Sequence, residues 1–226
     1  KAIMLNTPSN PCGTMYTPEE LRAIAKILER HPDIYILSDE IYDKLIYSDI
    51  EHFSLGSIPE IAHQVITING LSKAYAMTGW RVGYACAPEP VAKAMNTLQS
   101  QINTSITSFC YATIPVALKM NDEVEEMRKV FASRAALMYK LIQAWPNVEC
   151  AEPTGAFYAF PKISHYFGKT SPAGTEITDA VNFTKALLDE TSVAVVPGTD
   201  FGGCGPDHVR LSFACSEDQI EEGVTK

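Results

Sequence analysis

Short apolar runs and one helical stripe alternate along the first third of the chain. Three runs predict buried strands, at residues 2–5, 34–37 and 65–68. Between the first two runs, apolar residues recur at the spacing of a helix that packs one face on a sheet, namely Leu21, Ile24, Ala25 and Leu28. Thr17 predicts the N-cap of this helix, with Pro18 next and Glu20 completing a capping box. Strand, helix and strand in this order predict an α/β fold with a mainly parallel sheet and flanking helices.

The pattern changes along the chain. A further apolar run at 82–87 predicts another buried strand, and helices follow at about 88–101, 109–120 and 122–144. Beyond them, one helix at about 177–190 lies among four short predicted strands, near 148–151, 157–160, 193–196 and 208–213. We therefore expect two domains: residues 1–125, part of a larger α/β domain, and residues 126–226, a smaller α+β domain. Both chain ends fall inside predicted elements, so we expect the C-terminal portion of a longer protein, truncated at its C-terminus.

Composition narrows the classes of function. The chain has 226 residues, a net charge of −9 and a pI of about 5.0, which argues against nucleic acid as the main partner. No apolar run approaches the roughly 18–20 residues that span a bilayer, so no membrane partner is expected. The six cysteines form no C-x-x-C pair and have no histidine at metal-ligand spacing. We expect reduced thiols, no metal site and a cytoplasmic protein.

Unusual polar residues follow three of the predicted strands. Asn10 follows the first strand, Asp39 and Tyr42 follow the second, and Lys73 follows the third. Each has an ordinary alternative: a turn for Asn10, a helix cap for Asp39, a satisfied core hydroxyl for Tyr42 and a solvent-directed lysine. In a parallel α/β sheet, however, ligands bind beyond the carboxyl ends of the strands. Four such groups at one edge favour a shared site.

These side chains suit one cofactor chemistry. The amine of Lys73 can condense with an aldehyde, and pyridoxal phosphate (PLP) is the obvious biological candidate. The PLP ring withdraws electrons only while its nitrogen stays protonated, and a buried carboxylate such as Asp39 would hold that proton. Asn10 and Tyr42 could bond the ring oxygen. The phosphate requires a delocalised cation and hydroxyl groups, which Arg81 and Ser72 could supply.

Ordered motifs then carry a family resemblance. The chain resembles the class I/II aminotransferases, which are PLP enzymes of fold type I, and is most similar to the bacterial-type aspartate/prephenate branch. The matching motifs are residues 9–13 (SNPCG), 38–42 (SDEIY), 70–83 (GLSKAYAMTGWRVG), 155–158 (GAFY), 195–202 (VVPGTDFG) and 209–214 (VRLSFA). The resemblance extends over the whole chain and implies that residues 1–125 belong to the larger, cofactor-binding domain.

The resemblance assigns a role to each candidate residue. Lys73 is the catalytic residue: it forms the Schiff base and moves a proton between the substrate Cα and cofactor C4′. Asp39 pairs with the pyridine nitrogen, and Tyr42 and Asn10 bond the cofactor oxygen. The resemblance also implies three binding contacts: the phosphate with Arg81, and the substrate carboxylate with Arg210 and Asn10. One departure weakens the predicted phosphate role of Ser72, since Gly70 stands where the family often has a serine.

The resulting expectation is ping-pong transamination between an amino acid, aspartate first, and 2-oxoglutarate, by a homodimer with small-molecule partners. Three alternatives stay open: an aromatic or prephenate aminotransferase, a carbon–sulfur lyase of the same fold, and the effector-binding domain of a regulator without catalysis. Nothing in the sequence supports a role for the histidines in the chemistry, so we expect them to be surface or structural residues. Those considered are His52, His63, His165 and His208.

Overall fold

A computed structural model describes residues 1–226, the whole of the chain. Nine strands, β1–β9, are Ala2–Asn6, Tyr35–Asp39, Val65–Gly70, Gly83–Cys86, Tyr158–Ala159, Lys169–Thr170, Glu176–Ile177, Val196–Pro197 and Val209–Ser212. Six α-helices, α1–α6, are Pro18–Leu28, Glu89–Ile102, Ser108–Ala117, Asn121–Ile142, Ala180–Thr191 and Glu217–Thr225. The chain divides into two compact units, residues 1–8 with 15–128 and residues 9–14 with 129–226. None of the helices is both long enough and apolar enough to cross a membrane.

The first unit contains a four-stranded sheet in the order β1-β2-β3-β4. The first three strands are parallel, and β4 runs antiparallel to β3. Asp39 at the end of β2 pairs with Asn6 on one side and with Ile68 on the other. The prediction of a mainly parallel sheet with flanking helices is confirmed, and the register brings the carboxyl ends of three strands to one edge.

Helix α1 begins where the sequence predicts. The Thr17 hydroxyl accepts a 3.2 Å hydrogen bond from the Glu20 amide, and the Glu20 carboxylate accepts a 2.8 Å bond from the Thr17 amide. This capping box satisfies two backbone donors that the helix leaves open. The inner face of α1 joins β2 and β3 in one core cluster, formed by Leu21, Ala25, Leu28, Ile36, Leu55, Ile61 and Val65.

Two predictions of burial are wrong. Residues 2–4 of β1 are exposed, Met4 to 65 %, and all four residues of β4 are exposed. Both are edge strands, paired on one side only, whereas the core packs around β2 and β3. An apolar run therefore identified each strand correctly but not its degree of burial within this chain.

The second unit contains an antiparallel sheet in the order β5-β9-β8 and a separate hairpin of β6 and β7. The predicted strand at 148–151 is only an isolated bridge between Glu149 and Lys162. Helix α5 begins at Ala180 rather than near 177, because the Asp179 side chain accepts a 2.8 Å hydrogen bond from the Asn182 amide and caps it. The division into domains 1–125 and 126–226 remains a proposal, and these two units support it.

Candidate active site

Asp39 ends the central strand β2 and is hydrogen-bonded by residues at the end of β1. Its carbonyl accepts 3.2 Å hydrogen bonds from the Asn6 side-chain amide and the Thr7 backbone amide. Its carboxylate accepts one bond, of 3.3 Å, from the Ile41 amide. Burial raises the pKa of this carboxyl group, the Ile41 amide opposes the rise, and the charge of Glu40 adds to it. A half-buried carboxylate with few donors is a suitable partner for a cationic N–H group.

Tyr42 is fixed in the turn that follows β2. The residue is 3 % exposed, and the Tyr42 carbonyl accepts a 2.8 Å hydrogen bond from the Leu45 amide. Within the same turn, the Asp43 amide donates a 3.0 Å bond to the Glu40 carbonyl. Asp39 at the end of β2 and Tyr42 in the turn beyond it thus belong to one hydrogen-bonded segment.

Lys73 lies in a loop whose flanking residues are anchored in the core. Leu71 and Ala74 are fully buried, while Lys73 itself is half-buried. The loop closes through 3.1 Å bonds from the Met77 amide to the Leu71 carbonyl and from the Leu71 amide to the Val82 carbonyl. An ordered loop of this kind fixes the lysine backbone, which is what covalent chemistry at its amine requires.

Ser72 and Arg81 belong to the same loop. The Ser72 carbonyl accepts a 2.7 Å bond from the Thr78 hydroxyl. Arg81 is exposed, has a left-handed backbone with φ of 56°, and donates a 2.9 Å bond from Nη1 to the Thr78 carbonyl. This bond uses one of five guanidinium donors, so the others can bind an anion.

Gly70 explains the departure from the family pattern at this position. A Cβ atom there would lie 2.7 Å from the Val82 carbonyl oxygen and 3.0 Å from the Gly83 Cα. Gly70 and Gly83 are a cross-strand pair where β3 meets β4. A serine at residue 70 would therefore require this strand pair to move apart.

Arg210 lies in the middle of β9, in the second unit. Its Nη1 donates a 2.9 Å hydrogen bond to Asn10 Oδ1. Its guanidinium carbon lies 4.6 Å from the Tyr158 ring centroid and 5.0 Å from the Phe201 ring centroid, so the cation contacts two aromatic rings. Its buried Nε has no hydrogen-bond partner. A planar cation with an unpartnered, buried N–H group suits a carboxylate ligand.

The loop that carries Asn10 is fixed by Gly13. The Gly13 carbonyl accepts bonds of 2.8 and 2.9 Å from the Thr154 and Gly155 amides. Gly13 has φ of +70°, and a Cβ atom there would lie 2.0 Å from the Tyr158 carbonyl oxygen. Only glycine allows this close approach, which positions Asn10 for its bond to Arg210.

Asp39, Tyr42, Ser72, Lys73 and Arg81 thus lie in the first unit, and Asn10 and Arg210 in the second. The sequence reasoning missed the rings of Tyr158 and Phe201, although both fall within the quoted motifs. It also missed the partners of Glu40, a buried carboxylate bonded to Ser38, His52 and Ser54. The sequence signal for this cluster was an acidic residue, Glu40, at the end of a predicted buried strand, because a buried charge requires partners.

Comparison with known proteins gives the family. The model of the family "Aminotransferase class I and II" matches residues 1–226. The chain belongs to this family. It is 42 % identical over 228 residues to the aspartate aminotransferase of Geobacillus stearothermophilus and 38 % identical to a probable aspartate/prephenate aminotransferase of Rhizobium leguminosarum. Both alignments cover the whole of this chain but only 56 % of the relative's length.

Solved structures agree with this aminotransferase assignment. The aspartate aminotransferase of Rhizobium meliloti has a TM-score of 0.93 at 36 % identity, over 99 % of this chain and 56 % of that one. An aromatic aminotransferase of Pyrococcus horikoshii has a TM-score of 0.89 at 34 % identity, over 100 % and 58 % respectively. Aspartate aminotransferases of this family use PLP. The family, fold class and cofactor expected from the sequence are confirmed.

Proposed function

We propose that the protein containing this chain is a PLP-dependent aminotransferase that transfers an amino group between aspartate and 2-oxoglutarate. The observation that carries the proposal is that Asp39 ends β2 while Lys73 follows β3, its parallel neighbour. Asp39 pairs with Ile68 of β3, and Lys73 lies five residues after Ile68. This edge is where a parallel sheet binds ligands. Because the chain spans 56 % of its relatives, activity and substrates remain proposals for the whole protein.

The side chains of the first unit fit PLP. The half-buried Asp39 carboxylate, with its single amide donor, fits a protonated ring nitrogen, and the exposed Arg81 fits a phosphate. When bound, PLP supplies an electron sink for the bond broken at the substrate Cα. Lys73 binds the cofactor and moves the proton at that carbon, Asp39 holds the ring proton, and Tyr42 donates to the ring oxygen. Ser72 supplements Arg81 at the phosphate.

The side chains of the second unit fit the substrate. Arg210 would bind the α-carboxylate through Nε and the neighbouring guanidinium N–H, while Asn10 holds its orientation through Nη1. The sequence-based role of Asn10 at the cofactor oxygen stays a prediction. A second candidate function is transamination of prephenate or aromatic substrates, which the names of the Rhizobium leguminosarum relative and the Pyrococcus horikoshii structure favour.

Replacement of Lys73 tests the proposal. Lys73→Ala in the longest natural protein that contains this chain should abolish the visible absorption band of bound PLP and the borohydride-stable adduct at this residue. Lys26→Ala, on the exposed face of α1, is the control and should retain both. Survival of the adduct and of transamination in Lys73→Ala would overturn the assignment.

Substrate profiling separates the candidates. Initial rates with aspartate, prephenate and phenylalanine identify the preferred substrate, and pyruvate release from a cysteine conjugate would indicate a carbon–sulfur lyase instead.

The homodimer is also proposed, on the support of exposed apolar side chains on α2 and α3 such as Leu98 and Phe109, and light scattering tests it. Six free cysteines support the proposed cytoplasmic location.

A further inference from the structure

Glu40 is a buried carboxylate directly after Asp39 that the proposed chemistry does not use. Its side chain is 4 % exposed. Oε1 accepts hydrogen bonds of 2.9 Å from the Ser38 hydroxyl and 2.7 Å from the Ser54 hydroxyl, and Oε2 lies 2.9 Å from His52 Nε2. These three partners offset the free-energy cost of burying a carboxylate charge at this position.

The cluster lies on the opposite face of β2 from Asp39. Successive side chains of a strand point to opposite faces. Ile36, Ser38 and Glu40 are buried on one face, whereas Leu37 and Asp39 are half-buried on the other. Glu40 therefore lies on the other face of the strand from Asp39, the residue proposed to pair with the cofactor.

The backbone links the two carboxylates rigidly. The Glu40 amide donates a 2.9 Å bond to the Ile68 carbonyl of β3, and the Asp39 carbonyl is held by Asn6 and Thr7. The peptide between Asp39 and Glu40 is thus bonded on both sides. Ser54 and His52 hold the Glu40 side chain as well, so the cluster adds a further constraint on the peptide that carries Asp39.

Charge gives the cluster a second effect. A negative charge one residue away in a buried site acts through a low effective dielectric. The charge of Glu40 adds to the burial that raises the pKa of the Asp39 carboxyl group. The same charge would favour a proton on a ring nitrogen that Asp39 contacts.

We propose that Glu40, held by Ser38, His52 and Ser54, is a positioning residue that fixes Asp39 and favours protonation of the PLP ring nitrogen. The inference rests on the proposed function. A solely structural role, in which Glu40 ties residues 52–54 to β2, is the competing explanation. Only the positioning role predicts that the effect of Glu40 on cofactor binding requires the ring nitrogen.

Two cofactors separate these explanations. PLP and 1-deazapyridoxal phosphate differ only in a carbon that replaces the ring nitrogen. Dissociation constants of both are measured by titration of the apo form of the longest natural protein that contains this chain. Glu40→Gln keeps an acceptor for the two serine hydroxyls and removes the charge. We expect it to weaken PLP binding about tenfold, the equivalent of one unit in the nitrogen pKa. Binding of the deaza analogue should change less than about twofold.

Controls make each outcome decisive. Glu51→Gln, an exposed carboxylate of the same connecting segment, should change neither constant. Ser54→Ala keeps the charge and removes one donor, and should weaken PLP binding about threefold and leave the analogue unchanged, even if Glu40→Gln does not fold. Equal losses for both cofactors, or no loss for either, would overturn the inference alone. A wild-type protein that binds neither cofactor would overturn the proposed function and the inference together.

Discussion

Arg210 and Asn10 are separated by 200 residues in sequence and joined by a hydrogen bond of 2.9 Å. The bond fixes the plane of the guanidinium group at Nη1, and the rings of Tyr158 and Phe201 contact the cation. The remaining donors, including the buried and unpartnered Nε, are therefore oriented before any ligand arrives. Pre-orientation of this kind lowers the entropy lost on binding.

Replacement of Arg210 by lysine should separate substrate binding from cofactor binding. Lysine keeps the charge but has neither the planar pair of donors nor the contact with two rings. We expect the KM for the amino acid to rise about 100-fold, since lysine loses at least one of the two charge-assisted hydrogen bonds and each contributes about 1.5–3 kcal/mol. PLP affinity should not change. Steady-state kinetics and cofactor titration measure the two quantities.

The matched control is Arg30→Lys, at an exposed residue just after α1. It should leave KM unchanged. A KM within about twofold of wild type in Arg210→Lys would contradict the assigned role, because loss of even one neutral hydrogen bond costs roughly 0.5–1.5 kcal/mol.

Gly13→Ala should destabilise the second unit. The added Cβ would lie 2.0 Å from the Tyr158 carbonyl oxygen, at a backbone φ of +70°. Both the overlap and the left-handed backbone oppose alanine, so we expect the free energy of unfolding to fall by about 3 kcal/mol. Urea unfolding followed by Trp145 fluorescence in a Trp80→Phe background reports on this unit.

Gly223→Ala is the matched control, because a Cβ atom there meets no atom within 4 Å and the residue lies in helix α6. Alanine should stabilise the helix by up to about 1 kcal/mol. If the two substitutions changed stability equally, the close approach of Gly13 would not be what fixes the Asn10 loop.

Local patterns predicted much of this fold, and long-range contacts account for the rest. The capping box at Thr17 and the strands before Asp39 and Lys73 are encoded within a few residues, so periodicity and capping chemistry identify them. The β6–β7 hairpin was missed because each strand has two residues, too few for an alternating pattern. Its position depends instead on Glu190, which bonds the hairpin loop from a helix.

The candidate site shows the same division. Asp39, Lys73 and Arg81 belong to short motifs that the sequence displays, whereas the partners of Glu40 are spread from residue 38 to residue 54. Likewise, His52 carries no local signal, and only the fold places its Nε2 at 2.9 Å from Glu40. The glycine at residue 70 is likewise explained only by the fold, because a Cβ atom there would lie 2.7 Å from the Val82 carbonyl oxygen.

Stability of the second unit should fall as the pH drops below about 6.5, the ordinary pKa of histidine. His208 stacks on Phe160 with ring centroids 4.8 Å apart, and its buried Nδ1 has no partner. Burial lowers the pKa of His208, opposed by Asp207. The unfolded chain therefore takes up the proton first as the pH falls. Unfolding by urea between pH 7.5 and 5 measures the slope.

His208→Phe should keep the stack on Phe160 and remove this part of the pH dependence. His63→Gln, at an exposed histidine of the first unit, should leave the slope unchanged. An unaltered slope in His208→Phe would mean that another group takes up the proton.

Glu190 should hold the β6–β7 loop in a manner that depends on its charge. Its carboxylate accepts hydrogen bonds of 2.6 Å from the Ser171 hydroxyl, 3.0 Å from the Thr175 hydroxyl and 3.3 Å from the Ala173 amide. The bond from Ser171, followed by those from Thr175 and Ala173, lowers the pKa of Glu190. The contribution of the ionised Glu190 to the free energy of unfolding is therefore present above the ordinary pKa of glutamate. It is lost as the pH falls through the lowered pKa.

Glu190→Gln keeps the side-chain length and removes the charge, so the loop at residues 171–175 should exchange its amide hydrogens faster than in wild type at neutral pH. Asp189→Asn, at the exposed neighbouring carboxylate, should not change the exchange. Urea unfolding from pH 7 to pH 3 should show wild type more stable at neutral pH and the two proteins converging under acid, because a protonated Glu190 no longer differs in charge from glutamine. A stability difference that stayed constant across this range would instead mean that shape alone, and not the carboxylate charge, holds the loop to α5.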